Sequence, residues 1–238
     1  MILRTSFSLL VALLLCAPPA LAYRPFDSTD ADVVDAGAWE VELAPLSYRH
    51  NDDGVAWVAP ALILNYGITD WLEAVVEGEG GHFTAGKSEL SDVAASLKAL
   101  LREGSLQGGE GWSLAAELTT LLPGIGADDG GGFEVAGIAS QEFGWGSVHF
   151  NLGAGRERDG HGLAFFGTIL EGPASWTVRP VAEVRYERVF GVEEEVAGLL
   201  GLIWPVSETL SFDLAFRHAW VGSRPDEQVR MGMTFEFS

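Results

Sequence analysis

The residues best suited to chemistry lie in the stretch Gly-His-Phe-Thr-Ala-Gly-Lys-Ser. Its Gly81, Gly86, Lys87 and Ser88 have the spacing of a phosphate-binding loop, in which backbone amides and the lysine cradle phosphates and the serine holds magnesium. The segment that follows has apolar residues at helical spacing, but it alternates equally well as a strand. Because no strand-helix repeats follow, we interpret the stretch as a glycine-rich loop.

Other catalytic or metal-binding patterns are weaker. The five histidines lack the His-Glu-x-x-His spacing of zinc hydrolases, and there is no Gly-x-Ser-x-Gly turn. Asp52-Asp53 and Asp128-Asp129 lack an ordered calcium-binding loop. We therefore predict no catalytic residue, no cofactor and no metal site. The protein is expected not to be an enzyme, and an enzyme embedded in a barrel is the least favoured alternative.

The N-terminus predicts export. Residues 1–22 combine Arg4, an apolar run and the small-x-small site Ala20-Leu21-Ala22, which is typical of a signal peptide cleaved after Ala22. The only cysteine, Cys16, lies inside it, so the mature chain has no disulfide framework. Removing Arg4 and no acid leaves 13 Lys and Arg against 34 Asp and Glu, a net charge of −21. Such acidity excludes a nucleic-acid partner.

From residue 38 onward, the sequence alternates between apolar and polar residues for about ten residues at a time. Each run breaks at Gly, Pro, Asp or Asn, which is the pattern of strands and turns. Twelve such segments are predicted, at 38–48, 57–67, 71–79, 92–102, 112–122, 133–143, 146–156, 162–171, 176–188, 195–204, 210–217 and 229–237.

Alternation alone also fits a soluble sandwich or a barrel that binds a small ligand. The segment length favours a strand that crosses a bilayer at a tilt, and an even strand number allows closure. Turns after even-numbered strands are short and loops after odd-numbered strands are longer, except for the long connection 103–111. Aromatic residues mark the strand ends, as in interfacial girdles: Trp39, Trp71, Trp112, Phe143, Trp145, Trp176, Trp204 and Trp220.

We therefore predict an all-β protein: an up-and-down antiparallel transmembrane β-barrel of about 12 strands, with short periplasmic turns and longer outer loops. The expected divisions are a signal peptide (1–22), an N-terminal periplasmic segment (23–37) and the barrel (38–238). The chain ends on an apolar strand in which Arg230, Gly232, Phe235 and Phe237 resemble the C-terminal signal recognised by the barrel assembly machinery. The expected location is the bacterial outer membrane, with its lipid as a partner.

Further motifs resemble the outer-membrane family named for the meta-pathway of phenol degradation, whose members are described as transporters. The resemblance covers nearly all of the mature chain. It implies a barrel and passage of small solutes, apolar or aromatic compounds among them, and it supplies no catalytic or ligand residues. The motifs are Arg24-Pro25-Phe26, Thr29-Asp30, Gly37 before Glu40 and Glu42, Tyr66-Gly67-Ile68-Thr69-Asp70 leading to Leu72-Glu73, Ser91-Asp92-Val93, Lys98, Leu121-Leu122-Pro123-Gly124, Asn151-Leu152-Gly153, Gly201-Leu202, Ser207-Glu208, Leu210 and Asp213.

The polar faces of the strands predict the lining of the lumen, because a charged side chain is costly in lipid. Such a lumen suits a channel or transporter for small solutes. The alternative is a closed structural or adhesion barrel whose outer loops do the binding. The predicted lining residues are Glu40, Glu42, Glu73, Glu77, Lys98, Glu117, Glu134, Arg179, Glu183, Arg185, Asp213, Arg217 and Arg230.

Overall fold

The computed structural model describes residues 24–52, 54–80, 90–125 and 130–238. The predicted signal peptide, the loop 81–88 and Asp128-Asp129 lie outside these residues. No helix in the described ranges is long and apolar enough to span a bilayer. The elements are β1 (Trp39–Asn51), β2 (Gly54–Val58), β3 (Ala61–Thr69), β4 (Leu72–Gly80), β5 (Leu90–Arg102), a 3₁₀ turn (Ser105–Gln107), β6 (Ser113–Leu121), β7 (Gly132–Phe143), β8 (Gly146–Arg156), β9 (Gly162–Glu171), β10 (Arg179–Val189), β11 (Glu193–Ser207), β12 (Leu210–Val221) and β13 (Arg224–Phe237).

The strands form one closed antiparallel barrel of twelve positions, as predicted. Each strand pairs with its neighbours in sequence, and β13 pairs with β1. Strands β2 and β3 share one position, because both pair with β1 and are separated by Ala59 and Pro60. Pro60 has no N–H to donate, and the break is bridged by Gly80, whose N–H donates to Pro60 O at 2.7 Å.

Closure explains why the chain ends on an apolar strand. The pairing of β1 with β13 runs from Trp39 opposite Phe237 to Asn51 opposite Asp226. A bulge between Leu43 and Leu46 accommodates Pro45, which cannot donate to the ladder. The terminal strand therefore satisfies the backbone groups of the first strand, and the sheet has no free edge.

Alternation separates the two faces of the barrel. The outward side chains are apolar and exposed, for example Leu200 at 70% and Leu152 at 68%. The inward side chains are polar and buried, for example Glu42, Glu73 and Lys98, each at 0%. This arrangement is the reverse of that in a water-soluble protein, since a soluble monomer rarely exposes so large an apolar surface.

The two ends of the barrel differ. Strand β1 begins and β13 ends at one end, which we call the terminal end; the opposite end is the loop end. The terminal end carries the tight turns at Asp70 and Gly144, and aromatic side chains such as Trp71 and Trp145 surround it. A second set of aromatic side chains, including Trp57, Phe133 and Trp220, lies near the loop end.

The structure decides one ambiguous segment and corrects the bounds of another. Residues 93–101 have a helical spacing of apolar side chains, yet they belong to β5, because both neighbouring strands pair with them. The strand expected at 176–188 begins only at Arg179. The preceding residues form a turn in which the Trp176 N–H donates to Pro173 O at 3.0 Å. Tertiary pairing and turn formation overrode the local pattern in both places.

The apolar exterior generates the first testable prediction. In protein folded into lipid vesicles, Leu200→Arg should lower the free energy of unfolding by about 2–4 kcal/mol, because Leu200 is central in β11 and points outward. The matched control Val192→Arg lies in a turn at the loop end and should cost about 0–1 kcal/mol. Equal losses for the two variants in denaturant titrations would contradict a lipid-facing belt.

Candidate functional site

The lumen contains the chain's own N-terminal residues. Residues 24–35, which we call the inner segment, were expected in the periplasm, but their contacts lie with inward side chains of the barrel wall. Asp27 N–H donates to Glu183 Oε2 on β10 at 2.8 Å, and Val34 N–H donates to Glu73 Oε2 on β4 at 2.7 Å. Since β10 and β4 stand on opposite sides of the barrel, the segment crosses the lumen.

Ion pairs hold the beginning of the inner segment. Asp27 Oδ2 lies 2.6 Å from Arg217 Nε, and its Oδ1 lies 2.7 Å from Arg230 Nη2. Arg24 Nε lies 3.5 Å from Asp213 Oδ2, and its backbone N–H donates to Glu42 at 3.0 Å. The segment thus presents one charge of each sign to wall residues of the opposite sign. Partners of this kind offset the cost of burying charges.

Polar groups hold the middle of the segment. Asn151 Nδ2 donates to Thr29 O at 2.7 Å, and the Ala31 N–H donates to Ser140 Oγ at 2.9 Å. Asp30 Oδ1 lies 3.4 Å from Nζ of Lys98, whose side chain is completely buried. Backbone groups that would otherwise lack partners inside the barrel are satisfied by these wall residues.

The long connection at the terminal end supports the exit of the segment. Gln107, at the end of the 3₁₀ turn in the connection 103–112, donates from Nε2 to Asp32 Oδ1 at 2.9 Å. Ser113 Oγ donates to Gln107 Oε1 at 2.7 Å and fixes the amide. This connection was the exception to the predicted short turns, and its length is used to reach the inner segment.

Three wall glycines provide room for the segment. A Cβ at Gly167 on β9 would overlap Ser28, and one at Gly232 on β13 would overlap Arg24. At Gly67 on β3, a Cβ would overlap the backbone oxygens of residues 34 and 35. Because only glycine leaves this space, the wall is shaped to receive the chain at these positions.

The inner segment separates two cavities. The upper cavity, of about 210 Å³, lies on the loop-end side and is lined by residues 26–29 together with Glu77, Glu117 and Glu134. The lower cavity, of about 440 Å³, lies at the terminal end and is lined by Asp30, residues 32–35 and wall residues including His149. A solute crossing the barrel would have to pass the inner segment.

The structure places all the predicted lining residues on the inner face and sorts them into groups. Glu42, Asp213, Glu183, Arg217 and Arg230 contact the beginning of the inner segment. Glu73 and Lys98 contact its later part. The upper cavity is lined by Glu77, Glu117, Glu134 and Arg185, and the lower cavity by Glu40 and Arg179, with Glu73 at its rim.

A serine, a histidine and a glutamate meet beside the lower cavity, although the sequence had no recognisable pair. Ser147 Oγ and Glu171 Oε1 lie 3.0 and 3.3 Å from His149 Nε2, while Nδ1 contacts Ser140 Oγ at 2.8 Å. In a hydrolytic triad the carboxylate holds one ring nitrogen and the nucleophile the other. Here Ser147 and Glu171 both contact Nε2, so the arrangement differs from that of a triad. The ring connects these two residues to Ser140, which accepts a hydrogen bond from Ala31 of the inner segment.

Sequence reasoning missed the inner segment as part of the site. Asp27, Asp30 and Asp32 precede the first alternating strand, and short acidic stretches at a terminus are usually solvated. The residues that hold the segment include Asn151, Ser140 and Gln107, which come from distant strands and loops. Only the family-like motifs Arg24-Pro25-Phe26 and Thr29-Asp30 signalled that these residues have a specific environment.

Comparisons with known proteins bear on the fold. No protein-family model and no curated protein matches the chain. An outer-membrane channel from Pseudomonas putida F1 superposes with a TM-score of 0.64 at 11% identity, covering 89% of this chain and 100% of the channel. The KdgM porin in complex with disordered oligogalacturonate gives 0.60 at 8% identity, covering 84% and 99%. The CymD monoaromatic hydrocarbon channel gives 0.51 at 10% identity, covering 86% and 89%.

At such low identity these likenesses establish the architecture alone. Among the residues that the structure describes, no group of three or more His, Cys, Asp or Glu is arranged to hold a metal ion. Membership of the family named for the meta-pathway of phenol degradation stays a prediction, and so does the assembly role of Arg230, Gly232, Phe235 and Phe237. The fold is that of outer-membrane β-barrel channels.

The wall glycines that leave room for the inner segment generate the second prediction. Gly167→Val should displace Ser28 and loosen the inner segment, because overpacking typically costs about 1–3 kcal/mol. A cysteine introduced as Ala31→Cys, at a position that is 0% exposed, should then react with a water-soluble maleimide at least about tenfold faster. The control Gly198→Val faces outward with only a backbone oxygen at 4.0 Å. An unchanged rate of maleimide labelling in Gly167→Val would show that the space at Gly167 does not hold the inner segment in place.

Proposed function

We propose that this protein is a bacterial outer-membrane channel for small solutes whose pathway is closed by its own inner segment. The observation that carries the proposal is the position of that segment between two cavities, one on the loop-end side and one at the terminal end. A purely structural barrel could fill its lumen with wall side chains, as eight-stranded barrels do. This chain instead uses a separate segment, which can leave without breaking the wall.

The apolar exterior supports a location in the outer membrane, and the positions of the chain ends support one orientation of the barrel in it. The exposed apolar belt between two sets of aromatic residues is the arrangement expected of a bilayer-spanning barrel. The start of β1 and the end of β13 lie at the terminal end, together with the two-residue turns at 70–71, 144–145 and 208–209, so we assign that end to the periplasm. The loop end then faces outward, with the longer connections 81–89 and 122–131.

The solute class is inferred from the family resemblance, a structural neighbour and the charge of the lumen. The family resemblance implies apolar or aromatic compounds, and one structural neighbour, CymD, is a monoaromatic hydrocarbon channel. The lumen of this chain is strongly charged, with eight acidic and five basic residues among those predicted to line it. We therefore assign small solutes as the cargo and expect charge to govern which of them pass.

The proposed closure of the pathway by the inner segment, which we call the gate, generates the third prediction. It concerns single-channel recordings of refolded protein in a planar bilayer. Asp27→Asn removes the carboxylate that pairs with Arg217 and Arg230, and breaking a buried pair typically costs about 3–5 kcal/mol. More frequent openings are expected, and deletion of residues 24–34 should give steady conductance. The control Asp159→Asn lies in an exposed loop at the loop end and should behave as the parent.

The deletion also tests the competing function. If the deletion variant is folded, as judged by its heat-modifiable mobility on gels, and is still silent, the channel is refuted. The closed structural or adhesion barrel, whose outer loops do the binding, would then be the better description.

The fourth prediction concerns selectivity in the variant that lacks residues 24–34. Glu77→Gln should lower its preference for cations over anions in reversal potentials, and Arg185→Gln should raise it, because both side chains line the upper cavity. Leu200→Gln faces lipid and should not change the preference. Equal reversal potentials in all the variants would mean that ions do not pass these side chains.

A further inference from the structure

The upper cavity has more negative charge than its own side chains balance. Glu77 on β4, Glu117 on β6 and Glu134 on β7 line the same wall of the cavity. Glu117 and Glu134 are the charged neighbours that act most strongly on Glu77. Glu77 and Glu134 form no ion pair with any basic residue that the structure describes. Like charges that share a confined space repel each other unless a cation lies between them.

The basic residues near the cavity already have partners. Arg185 Nη2 lies 2.5 Å from Glu187 Oε2, and its guanidinium lies over the Phe165 ring, 5.0 Å from the centroid. Lys98 stands opposite Glu117 in the strand register, but its ammonium lies 3.4 Å from Asp30 of the inner segment. Lys98 still attracts Glu117 and Arg185 still attracts Glu134, whereas every charged neighbour that acts on Glu77 is acidic, so the excess of negative charge is centred on Glu77.

A second feature of the cavity is a buried amide oxygen that lacks a hydrogen-bond donor. Asn65 lines the upper cavity and is 0% exposed. Its Nδ2 donates to Glu40 and Glu42 at 3.2 and 3.0 Å, while its Oδ1 has no hydrogen-bond donor among the described residues. A buried amide oxygen without a donor is costly, so this position favours a ligand that carries N–H groups.

The remaining lining includes apolar and aromatic side chains beside polar ones such as Ser96 and Thr119. Phe26, Phe165, Ile63 and Val75 contribute to the same cavity. Its volume of about 210 Å³ lies below the roughly 300–1,000 Å³ of sites for drug-sized ligands, so the ligand must be small. Aromatic faces also attract ammonium groups. An organic cation fits this lining better than a metal ion, for which no group of ligands is arranged in the described residues.

We propose that the upper cavity is a binding site for a small primary amine with an apolar or aromatic body. The ammonium lies among Glu77, Glu117 and Glu134, and the apolar body packs against Phe26, Ile63 and Val75. The site lies on the loop-end side of the inner segment, so it fills from that end while the segment stays in place. The inference gives a substrate class to the proposed channel and in that sense rests on it, although binding itself does not require conduction.

The experiment measures binding by calorimetry to the intact protein in nanodiscs. The probes are 2-phenylethylamine, its neutral analogue 2-phenylethanol and the anion 3-phenylpropanoate. The amine should bind at least about tenfold more tightly than the alcohol, and the anion should not bind. Glu77→Gln and Glu134→Gln should each weaken amine binding about three- to tenfold and leave alcohol binding unchanged. Glu236→Gln, in the lower cavity, is the matched control and should bind as the parent does.

Each outcome decides one proposal. Equal affinity for amine and alcohol, or equal weakening by Glu236→Gln, would overturn the amine site. Discrimination by the parent that is lost in the Glu77 and Glu134 variants, all of them folded by heat-modifiable mobility, would establish it. Amine binding together with a silent deletion of residues 24–34 would keep the site and refute the channel. Conductance by the variant that lacks residues 24–34, without discrimination between amine and alcohol, would support the channel and overturn the amine site.

Discussion

The structure depends on closure of the sheet by hydrogen bonds between β1 and β13. In lipid no water can satisfy an open strand edge, so every backbone group of the wall must pair within the protein. Pairing from Trp39 opposite Phe237 to Asn51 opposite Asp226 removes the last edge. Once the sheet is closed, alternation leaves polar side chains no place except the lumen. The charged interior is therefore a consequence of the apolar exterior.

A closed lumen with many charges must then be filled or hydrated. The chain fills part of it with residues 24–35, whose Asp27 and Arg24 pair with wall residues of opposite charge. Glycines at positions 67, 167 and 232 leave the space in which the segment runs. Charge pairing and close packing act on the same few residues, so the segment has one defined path across the barrel.

The division into two cavities connects the fold to the proposed function. The barrel wall is rigid because each strand is bonded on both sides, whereas the inner segment is held by side chains and single backbone contacts. Motion is therefore expected in the segment rather than in the wall. The carboxylates of the upper cavity lie on the loop-end side of the inner segment, so in the proposed channel a solute from that end would meet them before it meets the segment.

The sequence by itself determined the class of fold, the number of wall positions and the direction of each side chain. Period-two alternation fixes which residues share a face, and the cost of charge in lipid fixes which face turns inward. It left residues 93–101 compatible with a helix as well as a strand, and it did not determine the late start of β10 at Arg179 or the place of the inner segment. These features depend on partners distant in sequence, such as Asn151 for Thr29 and Arg217 for Asp27. Only closure of the barrel brings them within bonding distance, so only the tertiary structure decided what occupies the lumen.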